Sequence, residues 1–341
     1  MPRTAPKRKP PDPVPTTARP FGHGGVPVSA VGFGAWAIGG SWGKVDDAAS
    51  SAALEHALEK GVTFFDTADV YGDGRSEGLV GRVCAGKPGV FIATKAGRRL
   101  PKQTVEGYSS KNLSDWIDRS RRKLGMETLD LVQLHCPPTA LYKSARVFTI
   151  LDDFVSQGRL RAYGVSVEKI EEAMLALDQD GVQSIQIIFN LFRQRPAEQL
   201  FDLAKKRGVS IIARVPLASG LLTGKITGES RFAADDHRNF NIRGQAFDVG
   251  ETFSGVPLEA GLAAVEELRA LVPKGRTMAQ FALRWILMHD AVTTVIPGCK
   301  TVAQVDDNLA SAELPPLSPS TMNRAREIYD RHIRVHVHKR W

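Results

Sequence analysis

The chain has 341 residues, of which 43% are hydrophobic and 24% charged, a globular composition with room for one large α/β domain or two smaller ones. No apolar run approaches the roughly 18 to 20 residues of a membrane span. Its three cysteines, Cys84, Cys136 and Cys299, form no CxxC pair and no regular spacing with histidine, which argues against a disulfide framework, a zinc site or an iron–sulfur cluster. No metal ligand set is expected, and unpaired cysteines without an apolar leader point to a reducing cytoplasm.

The net charge of +8 is concentrated at the start, where Arg3, Lys7, Arg8, Lys9 and Arg19 stand against Asp12 and supply half of it. Residues 1–20 are rich in Pro and poor in large apolar side chains, so they cannot bury enough surface to offset ordering. They read as a disordered basic extension. A nucleic-acid or nuclear-targeting tail is the sharper reading and a solvated extension the plainer, preferred one. Residues 21–341 are expected to form a single domain.

From there, short apolar runs alternate with amphipathic stretches. The strand candidates are Val31–Gly34, Thr63–Asp66, Val90–Lys95, Leu129–His135, Tyr163–Val167, Ser184–Asn190, Ser210–Val215 and Thr293–Ile296. Between them lie helix patterns such as Ser51–Glu59, Leu113–Leu124 and Ala197–Arg207, the last closed by Gly208. Runs such as Ile185–Phe189 are apolar throughout, as a parallel sheet covered on both faces requires. Eight such units fit a closed (β/α)8 barrel of the TIM type better than a doubly wound sheet.

Residues 228–256 break the rhythm with a Gly-rich, charged stretch after the seventh strand. Its length and position read as a lid. Helix patterns at Leu258–Leu271 and Met278–Met288 precede the last strand, and Pro319–Ile333 follows it. Three histidines alternate in the terminal HIRVHVHKRW, a pattern read as incidental.

The stretch VGFGAWAIGG offers a G-x-G at Gly32 and Gly34, but the third glycine of a dinucleotide fingerprint falls on Ala37. Close approach of the first strand to the barrel mouth explains these glycines better. Asp66, Tyr71, Lys95 and His135 lie at or just beyond the ends of three successive strands, and in a barrel those ends share one face. Tyrosine, with an ordinary pKa of about 10, is a poor acid unless a cation favours its phenolate. Lys95 is placed to be that cation, Asp66 to hold Lys95, and His135 to orient a substrate oxygen or relay a proton. Each alone has a structural explanation; four together do not.

Two further stretches suit phosphate. RVPLASGLLTGK, Arg214–Lys225, exposes small residues and backbone amides near Lys225, and IPGCKTVAQVDDNLASA sets Lys300 and Thr301 at a helix start. Each reads equally well as a plain turn or a capped helix. Ser76 is expected to cap the helix that begins near Glu77.

In order along the chain, DTADVYGDGRSEGLVG, VFIATK, LVQLHCP, YGVS, VPLASGLLTGK and VIPGCKTVAQVDDNLASA resemble the successive motifs of the aldo-keto reductases. The resemblance implies a (β/α)8 barrel with an N-terminal β-hairpin and a long loop after strand 7. It also implies an NADPH-dependent reductase of aldehydes or ketones, NADH not being excluded, with a tetrad of Asp66, Tyr71, Lys95 and His135. Tyr71 would donate the proton, Lys95 lower its pKa, Asp66 support Lys95 and His135 orient the carbonyl.

The implied cofactor contacts are Ala35, Trp36 and Asp66, Ser166 and Gln186 at the carboxamide, and Arg214. Pro216, Leu217, Gly220, Leu221, Leu222 and Lys225 follow along the pyrophosphate, with Gly298, Lys300, Gln304, Asp307 and Asn308 toward the adenosine end. Three positions depart from the family pattern: Val167 replaces a carboxamide-binding Asn, Arg214 an aromatic platform, and Gln304 an Arg near the 2′-phosphate. The implied partner is a small carbonyl substrate, with no nucleic acid or membrane. The alternative is a cofactor-sensing regulatory subunit, as in the potassium-channel β subunits.

Overall fold

The computed structural model describes residues 18–40, 42–43 and 45–341. Strands β1 (Ala18–Phe21) and β2 (Val26–Ser29) form an antiparallel hairpin, turned through Gly22 and Gly25 at φ 60° and 62°. Residues 18–20, grouped with the basic extension from sequence, are thus strand-paired; residues 1–17 of that extension lie outside the described residues. Phe21 plugs the barrel floor against Phe64 and Phe91, with ring centroids 5.9 and 4.8 Å away. Arg19 donates to the carbonyls of Leu287 and Val292, tying the hairpin to the turn that leads into the last strand.

Eight parallel strands follow in one sheet, neighbours in sequence being neighbours in space. They are β3 (Phe33–Gly34), β4 (Phe64–Asp66), β5 (Phe91–Ala96), β6 (Leu129–His135), β7 (Leu160–Ser166), β8 (Val182–Ile188), β9 (Ser210–Arg214) and β10 (Val292–Val295). Parallel bridges Val31↔Val295 and Gly34↔Gly298 join the first strand to the last. A side chain at Gly34 would put its Cβ 2.7 Å from the Ile296 carbonyl oxygen, so the glycines of VGFG serve this seam rather than a phosphate.

The expected first strand is shorter than Val31–Gly34 because this seam leaves only Phe33 and Gly34 in the ladder, with Val31 in a lone bridge. The Ala197–Arg207 pattern divides into a 3-10 turn at Arg195–Ala197, led by Pro196, and a helix Leu200–Lys206; Gly208 follows at φ 66°. The Pro319–Ile333 pattern passes from α-helix (Pro319–Ile328) to a π-turn (Tyr329–Ile333) and continues to Val337. The 228–256 segment contains a short helix, His237–Phe240, and 3-10 turns at Val249–Glu251 and Phe253–Gly255.

Ser76 does not cap its helix. Gly74, at φ 88°, occupies the cap position before Arg75–Cys84, and Ser76, already inside the first turn, points inward to donate to the Ala35 carbonyl at 2.8 Å.

Candidate active site

The side chain of Lys95, the fifth residue of β5, runs inside the barrel and is fully buried. Its ammonium donates to Asp66 Oδ1 at 2.5 Å, to the Thr67 carbonyl at 2.9 Å and to the Tyr71 hydroxyl at 3.3 Å. The other Asp66 oxygen accepts from Gln186 at 2.8 Å and Gln133 at 3.2 Å, so both carboxylate oxygens are engaged. That completeness makes the buried pair tolerable, since neither charge is left unsolvated.

Tyr71 reaches the site because the chain between β4 and the next helix passes against Trp36–Gly39. A Cβ at Gly72, φ 59°, would lie 2.0 Å from the Gly39 carbonyl oxygen. His135 closes β6 and meets Tyr71 edge-on, with centroids 5.9 Å apart and planes at 85°. The next residue, Cys136, at φ 50°, turns the chain sharply away.

Burial holds the Tyr71 hydroxyl above its ordinary pKa, outweighing the pull of Lys95 in the opposite direction. Lys95 thus pulls in the direction expected from sequence, but in the free protein desolvation prevails, with help from Asp66 and Glu251. Burial alone would discharge Lys95, but Asp66 and Tyr71 more than offset it and hold the ammonium charged. His135 is kept neutral, its pKa well below the usual value through burial and the charges of Arg98, Lys95 and Arg214; its Nδ1 has no partner.

These groups open on a cavity of about 910 Å³ at the C-terminal ends of the strands. Trp36, Asp66, Tyr71, His135, Gln186 and Arg214 line one end. Pro216, Leu217, Gly220 and Lys225 line the middle, and Gly298, Lys300, Gln304, Asp307 and Asn308 the far end. Lys95 stands one layer behind the wall. Four expected contacts do not line the cavity: Ala35 and Ser166 are buried, Ser166 behind Gln186, while Leu221 and Leu222 pack into the core.

Along the middle, Val215, Ala218 and Ser219 all adopt positive φ, near 50°, followed by Gly220 at 99°. Such conformations are costly for side chains with a Cβ, above all for valine, and cluster where a backbone must be shaped for a ligand. At the far end Thr301 caps the helix Val302–Leu309 by accepting from the Gln304 amide. Gln304 folds back to accept from the Lys300 amide at 2.7 Å, and Asp307 is held by Thr277 and Gln280. The Lys300 ammonium donates to the Trp42 carbonyl.

Several wall residues were not singled out from sequence: Arg98, Gln103, Glu168, Arg238, Phe247, Asp248 and Glu251. The strand-end rule reaches the first three, which follow β5 and β7 by a few residues. Nothing in the sequence marks the last four, because the lid's path decides which of its side chains face inward. Glu251 pairs with Arg214 at 2.5 Å, and the other arm of Arg214 donates to the Val167 carbonyl at 2.9 Å. The plane of the Arg214 guanidinium is thereby set, with its Nε unpartnered at the wall.

Fold and cavity define a (β/α)8-barrel protein whose polar groups converge at the mouth of the barrel. The chain belongs to the Aldo/keto reductase family of oxidoreductases, whose model matches residues 30–330. It is 30% identical over 327 residues to a probable voltage-gated potassium channel subunit beta of Arabidopsis thaliana, covering 90% of this chain and 95% of that one. It is 27% identical over 324 residues to an NADP(+)-designated aldo-keto reductase of Schizosaccharomyces pombe, covering 92% and 91%. Among solved structures, the glycerol dehydrogenase from Gluconobacter oxydans superposes with a TM-score of 0.75 at 29% identity, covering 94% of this chain and 97% of that one.

Proposed function

We propose that the protein is a cytoplasmic, NADPH-dependent reductase that converts an aldehyde or ketone to an alcohol, with Tyr71 as general acid. The observation that carries this reading is the hydrogen-bonded series Asp66–Lys95–Tyr71, which ends at the cavity wall beside a neutral His135. The cavity suits a dinucleotide: it is long, its middle is a strained cradle around Gly220, and Lys225, Arg238 and Lys300 place cations along it. Arg238 is paired with Asp236, which leaves Lys300 as the cation that favours a cofactor with an additional phosphate. Trp36, Gln186 and Arg214 would hold the nicotinamide end, the 216–225 loop the pyrophosphate, and the Lys300–Asn308 segment the adenosine end.

When bound, the nicotinamide supplies hydride to the carbonyl carbon. The protein's own part is proton handling and orientation. His135, neutral, is free to carry its proton on Nε2 and donate it to the carbonyl oxygen, which holds that oxygen toward Tyr71. Tyr71, protonated at neutral pH, gives its proton to the oxygen as negative charge develops there. Lys95 then stabilises the phenolate, at a distance where a charge-assisted hydrogen bond strengthens as the charge forms. Asp66 keeps the ammonium in place, and solvent restores the proton after the alcohol leaves.

Loss of NADPH fluorescence against a panel of small aldehydes tests this reading; an inert panel with cofactor bound sinks it. The relationship to a channel β subunit supports a second reading, a cofactor-sensing binding partner. Slow turnover with stoichiometric capture of a membrane-protein partner would favour that one.

A further inference from the structure

We propose that the substrate end of the cavity selects carbonyl compounds that carry a carboxylate, and that Arg98 is the residue that pairs with it; this rests on the reductase reading. Arg98 lies three residues beyond Lys95, on the cavity wall, with its side chain 24% exposed. It meets Glu168 through one contact of 3.3 Å and Glu251 through one of 4.0 Å. Neither is the two-pronged pairing that a guanidinium makes with a carboxylate when nothing else competes. Glu251 is already committed to Arg214. Arg98 therefore faces the cavity with a fixed charge and an incomplete partner.

Glu168 is a weak competitor. Its carboxyl is pushed up to about 7, by burial first and then by the Asp248 carboxylate, with Arg98 and Arg214 pulling the other way. An incoming carboxylate displaces a group that takes up a proton readily. Asp248, on the same wall, is turned toward Trp341 Nε1 at 3.0 Å and the Gly250 amide at 2.7 Å, both through Oδ1. A purely apolar aldehyde would strip water from Arg98 and Glu168 with nothing in return.

The placement also suits the chemistry. Arg98 acts on His135 from the wall of the same cavity, its charge helping to keep the imidazole neutral. A carboxylate held there sits on the same molecule as the carbonyl that His135 orients. Trp36, its ring 6.0 Å from those of Tyr71 and Phe247, lines the same cavity and suits a short carbon chain between the two polar groups.

The test uses the full chain, with 4-oxobutanoate and its methyl ester as substrates and succinate and dimethyl succinate as binding probes read by quenching of tryptophan fluorescence. The expected result is that the wild type prefers acid over ester by about tenfold or more in kcat/KM and in affinity, as a charge-assisted contact implies. Arg98→Gln should collapse that ratio toward one, Arg98→Lys should keep part of it, and Glu168→Gln should strengthen succinate binding. Equal handling of acid and ester by the wild type, or a preference that survives Arg98→Gln, overturns the assignment while reduction of neutral aldehydes leaves the reductase reading standing. Arg98-dependent succinate binding with no turnover of any aldehyde supports the carboxylate site and overturns the reductase reading instead.

Discussion

The Lys95 ammonium donates to the Tyr71 hydroxyl at 3.3 Å and lies 4.9 Å from the centre of the Tyr71 ring, so one cation serves both the oxygen and the face of the same side chain. In the free protein this is not enough to lower the tyrosine's pKa, because burial opposes it. The lysine matters most after the proton has left.

Tyr71→Phe should therefore lower kcat by roughly 10²- to 10⁴-fold, the usual scale of general acid catalysis, while cofactor affinity is retained. Steady-state rates and a fluorescence titration with NADPH separate the two; full activity in the variant removes Tyr71 from the mechanism. With the His135 pKa held well below, and the Tyr71 pKa above, their ordinary values in the free protein, neither group should introduce a titration into the wild-type kcat/KM for a neutral aldehyde across the neutral range.

Removing the lysine isolates a buried carboxylate. Lys95→Met should cost roughly 3–5 kcal/mol of stability, since Asp66 keeps two glutamine donors but loses its counter-charge. The lysine's folded pKa is raised, so its contribution is fully present below the unfolded value of about 10.4 and is lost as pH rises through the higher folded one. Urea unfolding of wild type and variant at neutral and strongly alkaline pH checks both the magnitude and the sign.

Asp69, fully buried behind the Tyr71 loop, has its carboxyl pushed up to about 7, chiefly by burial and then by Glu77, against Arg99 and Arg119. The folded state holds a proton that the unfolded chain releases near pH 4, so wild-type stability should fall between about pH 4 and pH 7 and then level off. Asp69→Asn carries no such proton. Its stability relative to wild type should rise across that window by at most about 4 kcal/mol, measured by denaturant midpoints at several pH values. A difference that does not change with pH would show that Arg99 and Arg119 already hold the carboxylate charged.

Trp341 packs against the lid from outside the cavity. Its ring lies 4.0 Å from the Arg193 guanidinium, and a Cβ on Gly255 would come within 2.4 Å of it. Trp341→Ala should cost roughly 3–5 kcal/mol and, by loosening the turn that carries Glu251, raise KM more than it lowers kcat. Gly255→Ala should act in the same direction through the same contact; unchanged KM in both would separate the lid from this anchor.

Periodicity alone was sufficient for the eight strands, because a strand buried on both faces must be apolar throughout and each is followed by a helix that covers it. The same order places Asp66, Lys95 and His135 at strand ends, hence on one face. Where it failed, the cause was local: Ser76 has the chemistry of a cap, but the Gly72–Gly74 turn starts the helix two residues early and turns its hydroxyl inward.

What the sequence by itself determined is therefore the barrel and the residues that converge at its mouth, consequences of hydrophobic periodicity and chain order, whereas the hairpin at its floor followed only from the family resemblance and takes in residues 18–20 that composition assigned to the extension. Only the tertiary structure decided the balance of charges in the cavity. Burial depth sets whether Tyr71 is raised or lowered, and the path of the lid decides that Glu251 neutralises Arg214 while Arg98 keeps an incomplete partner. Desolvation and Coulomb terms depend on distances between residues far apart in the chain, and no local pattern encodes them.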